Sequence, residues 1–171
     1  MTVTIPESIT AEGNVKVSWV PAIASLAAAT TTELNAGVDI TCYLPEAWGG
    51  ITGEQAKGTQ TRMCSKETFE SFGRVKRGIS DFTYTYLAQA LTSDVGNKVK
   101  TAMASGTDGF IVVRYAIAAT TAWTITDKYD AIPARTGVQI KIPSGADEFA
   151  PLVITQSVVA TGLLVEGVIA A

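Results

Sequence analysis

The stretch Ile79-Ser80-Asp81-Phe82-Thr83-Tyr84-Thr85-Tyr86 decides the fold. Its side chains alternate: Ser80, Phe82, Tyr84 and Tyr86 fall on one side, Ile79, Asp81, Thr83 and Thr85 on the other. A period of two, carried by aromatic and β-branched residues, marks a strand with one side for a core. The other side, Asp81, Thr83 and Thr85, reads either as a solvent-facing sheet surface or as the inner wall of a barrel or ring with water inside.

The same period recurs outward from this stretch. Val15, Val17 and Trp19 alternate with Lys16 and Ser18, and Val38, Ile40, Cys42 and Leu44 with Asp39, Thr41 and Tyr43. Residues 110–118 are nearly all apolar around Arg114, and 123–129 alternate again. Val138, Ile140 and Ile142 alternate with Gln139 and Lys141, and two further apolar stretches cover 152–159 and 163–169. The chain holds 16 Val, 14 Ile and 23 Thr against 8 Leu, which rules out a helical bundle. About eight strands in 171 residues predict a mainly β protein, a β-barrel-like sandwich with one flanking α-helix, in a single domain spanning 1–171.

Three segments break the pattern. Residues 32–37, Thr-Glu-Leu-Asn-Ala-Gly, read as a short helical turn with a Thr cap and a Gly stop. Residues 93–106 read as the flanking helix, with Ser93 as cap and Gly106 as stop. Its buried stripe is Val95, Val99, Ala102 and Met103, and Asn97 faces water. Residues 45–60 hold four Gly, one Pro and little periodicity, so they read as a long loop. Trp48 and Ile51 within it are expected to be buried against something. An extended N-terminal segment is expected over 1–12.

Composition excludes much chemistry. Without His there is no Ser-His-Asp triad, Cys-His dyad or HExxH zinc site. Cys42 and Cys64 are too few for a four-thiolate site and read as small buried apolar residues. No cofactor and no enzymatic activity are expected. A net charge of −3 argues against a domain that grips nucleic acid. The N-terminus lacks the basic and apolar regions of a signal peptide, and no stretch reaches the about 18 apolar residues of a membrane span.

Charge is scarce and uneven. Only 17% of residues are charged, so part of the surface is expected to be covered by copies of the chain or by partners. Residues 54–78 hold six basic and three acidic side chains, +3; the other segments hold seven basic and thirteen acidic, −6. That segment reads as a solvated hairpin of mixed charge or as a basic patch that docks on the acidic remainder of a second copy. Arg114 is expected to face outward beside carboxylates, with a buried or interfacial ion pair as the alternative.

The order of segments resembles a known family. It runs Val-Pro-Ala-Ile-Ala (20–24), Glu-Leu-Asn-Ala-Gly-Val-Asp-Ile-Thr (33–41), a Gly-rich loop and Asp-Phe-Thr-Tyr-Thr-Tyr (81–86). A single central helix follows, then Gly-Phe-Ile-Val-Val-Arg-Tyr (109–115), Asp-Lys-Tyr-Asp-Ala-Ile-Pro (127–133) and a closing β segment. This is similar to the major tail tube protein of long, non-contractile-tailed bacteriophages, the siphophages, whose fold resembles the type VI secretion tube protein.

The resemblance implies six copies in a ring, closed by edge-to-edge strand pairing, with rings stacked into a hollow tube. It implies a passive conduit for viral DNA, without specific binding, that surrounds a tape-measure protein. Tail terminator and distal tail proteins are the other implied partners. The implied location is the virion tail, assembled in the bacterial host cytoplasm, with no membrane anchor. Asp39, Thr41, Asp81, Thr83 and Thr85 are the candidate lumen residues, as polar faces of otherwise apolar strands. Trp48, Ile51, Glu54, Lys57, Arg74, Lys76 and Arg77 are the candidate inter-subunit or inter-ring residues. The alternatives are a monomeric β-barrel that binds a small ligand, or another virion or secretion-tube structural protein.

Overall fold

The computed structural model describes residues 8–44, 48–143 and 151–170. In chain order these form β1 (Val15–Val20), α1 (Thr31–Asn35), β2 (Val38–Asp39), β3 (Ile51–Thr61), β4 (Thr68–Ile79) and β5 (Phe82–Thr85). Then come α2 (Lys98–Ala102), β6 (Asp108–Tyr115), β7 (Lys128–Ile142), β8 (Val153–Ala160) and β9 (Val165–Val168). The protein is mainly β, as the period-two pattern predicts.

One antiparallel sheet runs β2-β1-β6-β7-β8-β5, with β9 also on β7. Its spine is β7. One edge of this 15-residue strand pairs with β6; the other pairs first with β9 and then with β8. A bulge between Thr136 and Gln139 bends it, and bends of this kind curl sheets. The curl gives a half-barrel. The bulge is held by a buried side chain: Gln156 Nε2 donates to Gly137 O at 2.8 Å and to Met103 O at 2.9 Å. Gln156 Oε1 accepts from the Tyr84 hydroxyl at 3.0 Å, which ties β5, β8 and the end of α2 together.

Each face of the sheet carries a buried cluster, and the second covers only the β1, β6, β9 end. The side enclosed by the curl carries Trp19, Ile111, Val113, Ile132, Phe82, Tyr84 and Ile154, with Val99 and Met103 packed in. That interior is filled with side chains, so the ligand-holding barrel considered from the sequence gains no support. The other side carries Val20, Leu34, Val112, Trp123, Tyr129 and Ile169. Each fully buried side chain of this size contributes about 1.5–3 kcal/mol. Gly109 is dictated by Trp19, because a Cβ there would lie 2.5 Å from the indole.

Several predicted boundaries move, each for a physical reason. The strand predicted over 38–44 stops at Asp39. Thr41 Oγ1 accepts from Val17 N at 2.8 Å and donates to Val17 O at 3.3 Å, so a side chain takes over the ladder and the backbone turns into a 3₁₀ turn, Thr41–Tyr43. The helical turn predicted over 32–37 starts at Thr31 and is capped by Thr30 in a capping box with Glu33. The helix predicted over 93–106 is a 3₁₀ turn, Val95–Asn97, followed by the five residues of α2. Asp94, not Ser93, supplies the cap by accepting from Gly96 N.

Asn97 does not face water. It is buried, donates to the carbonyls of Leu87, Ala90 and Leu91, and accepts from Leu87 N. Val95 is exposed instead. The strand predicted over 123–129 begins only at Lys128, and it is continuous with the one predicted over 138–142.

The largest correction concerns the loop predicted over 45–60. Residues 51–60 belong to β3, paired with β4 in a separate two-stranded sheet. Its strand character comes from the ladder, not from burial, so it leaves no apolar period to read. Residues 45–47 of that loop and 1–7 of the predicted N-terminal segment lie outside the described residues. Cys42 and Cys64, expected to be buried, are both free and exposed.

Candidate assembly surface

The β3–β4 hairpin is fixed only at its base. The Trp48 ring stacks on Phe82 with centroids 4.6 Å apart, and Trp48 Nε1 donates to Ser80 O at 2.9 Å. Ser80 N donates to Gly50 O at 3.1 Å, and Ile51 and Ile79 pack against the enclosed core. Past this base, β3 is exposed from Thr52 to its end. An isolated two-stranded hairpin is marginal in water, and this ribbon leaves most of its surface open.

The hairpin has two unlike sides. The register pairs Ile51 with Ile79, Gly53 with Arg77, Gln55 with Val75 and Lys57 with Phe72. Period two puts these on the side that continues from the core. Val75 is 52% exposed and Phe72 69%. Lys57 Nζ lies 5.7 Å from the Phe72 ring, and Arg77 lies across Gly53, where a Cβ would meet Nη1 at 2.8 Å. Glu54 and Lys76 stand opposite each other on the other side. Arg74 falls in the irregular segment facing the Gln55–Lys57 step. Trp48 and Ile51 are therefore anchors, while Glu54, Lys57, Arg74, Lys76 and Arg77 ride on the projecting part.

The candidate lumen residues separate into two groups at opposite ends of the strand order. Thr83 and Thr85 lie on the side of β5 away from Phe82 and Tyr84. Thr83 Oγ1 is 3.2 Å from Thr155 Oγ1 on β8. Register extends these rows to Ile140 and Ile142 on β7, so this face is hydroxyl and aliphatic. Asp81 is exposed just before β5. Asp39 and Thr41 sit at the β2 end. There Asp39 pairs with Lys16 at 3.4 Å and accepts from Thr41 N at 3.0 Å.

Arg114 does not face outward. It is wholly buried and forms the alternative, an internal ion pair: Nη1 reaches Asp127 Oδ2 at 2.7 Å. Nη1 also donates to Ala122 O, and Nη2 to the carbonyls of Ala118 and Thr121, at 2.8–3.1 Å. The guanidinium lies 4.9 Å from the Trp123 ring. One side chain thus folds the 116–127 loop, in which Ala116 and Thr126 hold positive φ. Burial alone would raise the Asp127 pKa, but hydrogen bonds from Thr124 and Arg114 and the nearby positive charge hold it below the usual carboxylate range. Lys16 and Arg114 are direct register partners. Two cations side by side on adjacent strands need acceptors, which is the signal that could have found this loop.

A last feature lies where β6, β7 and β9 meet. A cavity of about 340 Å³ is lined by Tyr115, Lys128, Asp130, Glu166 and Val168, among others. Asp130 and Glu166 face each other across the β7–β9 ladder. Burial, and then the Glu166 charge, push the Asp130 carboxyl above its ordinary value. The ion pairs among the described residues are Lys16–Asp39, Arg114–Asp127 and Arg135–Asp108, so neither of these two carboxylates has one.

The chain matches the family described as phage tail tube protein over residues 2–171. No curated protein matches it. Among solved structures it is similar to a chain of the anti-feeding prophage baseplate, seen by cryo-electron microscopy with 6-fold symmetrisation. The TM-score is 0.56 at 8% identity, over 96% of this chain and 97% of that one. At that identity the likeness is one of fold.

Proposed function

The chain belongs to the phage tail tube protein family, and on that premise we propose that it is the repeating subunit of a siphophage tail tube. In this reading six copies close into a ring, rings stack into a hollow tube in the virion, and viral DNA passes through it into the host cell. The observation that carries the reading is the exposed hairpin, anchored at one end and apolar and basic on its inner side. Unpaired edges support it as well. The curled sheet ends in β2 and β5, and an open edge is a template for another chain. The baseplate chain with the similar fold comes from an assembly treated with 6-fold symmetry, which supports six copies.

The hydroxyl and aliphatic rows of Thr83, Thr85 and Thr155 are the better lumen candidates, since Asp39 and Thr41 are spent on Lys16 and Val17. A wall without clustered cations releases few counterions to DNA and lets it slide. Tape-measure, tail terminator and distal tail proteins are the partners this role requires, and the free subunit is assembled in the host cytoplasm. The test is electron microscopy of the purified protein at rising concentration. Rings of six or hollow tubes are expected. A monodisperse monomer at every concentration and salt overturns the reading.

A further inference from the structure

The tube reading leaves open what the hairpin's inner side meets. That side joins two cations, Lys57 and Arg77, to two exposed apolar side chains, Phe72 and Val75, with Glu70 beyond them toward the tip. The rim of the β6–β7–β9 cavity presents the reverse set. It has two carboxylates, Asp130 and Glu166, beside half-exposed Tyr115 and Val168. Both patches lie open in the single subunit.

Of the seven other acidic groups outside the hairpin among the described residues, five are already engaged. Glu33 completes the Thr30 cap, and Asp94 accepts from Gly96 N. Asp39, Asp108 and Asp127 are in ion pairs. The Asp130–Glu166 pair differs because like charges directly opposite on adjacent strands repel, and a cation placed between them relieves that cost. Lys128 lines the same cavity, yet it forms no ion pair with either carboxylate.

We propose that the hairpin of one copy docks on this rim of a second copy, Lys57 and Arg77 facing Asp130 and Glu166, Phe72 and Val75 covering Tyr115 and Val168. The proposal rests on the tube reading and names the surface that receives the arm. Charge complementarity selects the occupant. The cations belong to residues 54–78, whose balance is +3, and the aromatic and aliphatic groups beside them match the rim.

Carbodiimide couples an amine to a carboxylate with no spacer, so it reads the contact directly. Tubes built from equal parts of ¹⁵N-labelled and unlabelled protein should yield peptides joining Lys57 to Asp130 or Glu166 with one labelled and one unlabelled half. Tubes that yield no such peptide overturn the docking.

Charge reversal is the second arm. Glu166→Lys alone, and Lys57→Glu with Arg77→Glu, should each raise the concentration needed for assembly by about tenfold or more. The combined variant should return most of the way. Single variants that assemble like the wild type, or a combination no better than the worse single, overturn the docking. Melting curves check that each variant folds, and Glu166→Gln with Arg77→Gln replaces any that does not. If wild-type protein builds tubes and the reversals change nothing, only the docking fails. If wild-type protein never assembles, the tube reading fails and the docking with it.

Discussion

β7 and β3 are both long strands, of 15 and 11 residues, and they are held in opposite ways. β7 has neighbours on both edges and packs Tyr129, Ala131, Ile132 and Ala134 into two cores. β3 has one neighbour and buries little beyond Ile51. Strand length therefore says nothing about which contacts support a strand. The first half of β7 is supported on both edges and both faces within one copy; β3 draws on a ladder and a single anchor, and its remaining surface is open.

The comparison breaks first if the sheet side is not the stable one. Arg114→Ala should cost about 3–5 kcal/mol, because Asp127 and three loop carbonyls lose their partner inside the protein. Denaturant unfolding measures it, and a loss below about 1 kcal/mol would mean that the 116–127 loop holds itself. Trp48→Ala should cost about 2 kcal/mol, less than a full core truncation since the ring is half-buried. Its signature should be local. Proteolysis should speed up within β3 and β4, while amide protection in β6 and β7 stays unchanged.

Thr30→Ala should cost about 1 kcal/mol, read as a lower melting temperature. Acid sharpens the contrast within the sheet. Asp127 has its pKa lowered in the folded chain, so the unfolded chain binds more protons, and the stability Asp127 contributes is lost as pH falls through its folded pKa. Asp130 has its pKa raised, so the sign reverses, and its burden is relieved in acid. Asp130→Asn should thus raise the melting temperature at neutral pH and give no gain in acid. The smallest effect on the subunit should come from replacing residues 53–77 by an Asn-Gly turn. That change should shift stability by less than about 1 kcal/mol while abolishing assembly. Unfolding on replacement would make the hairpin part of the core after all.

The sheet was legible in the sequence because burial on alternate residues prints a period. β5 and β8 follow it closely, while β1 and β6 are buried on almost every residue and are read from alternating polarity and from an apolar run. Where side chains bond to backbone, the print fails. Thr41 ended a strand that its neighbours would have continued, and Asn97 and Asp94 cut short a helix that apolar spacing had drawn too long. Arg114 was visible as an interruption, but its destination was not, because its acceptors lie in a loop without pattern. β3 was illegible for the opposite reason. An exposed strand with Gly53 and Gly58 has no core to announce. Of the candidate assembly residues, charge bias alone pointed to the segment that forms the projecting hairpin. Which of them anchor and which project required the register.

The hairpin can also be considered as a mechanical part. At about 3.3 Å per residue β3 is about 36 Å long, a cantilever clamped at the Trp48–Phe82 stack and free at its tip. A pull along the ribbon loads its rungs of hydrogen bonds together in shear, whereas a sideways push turns it about the clamp. A tail built with such struts would resist stretching while still yielding to bending, and the stiffness of its joints would be set at Trp48.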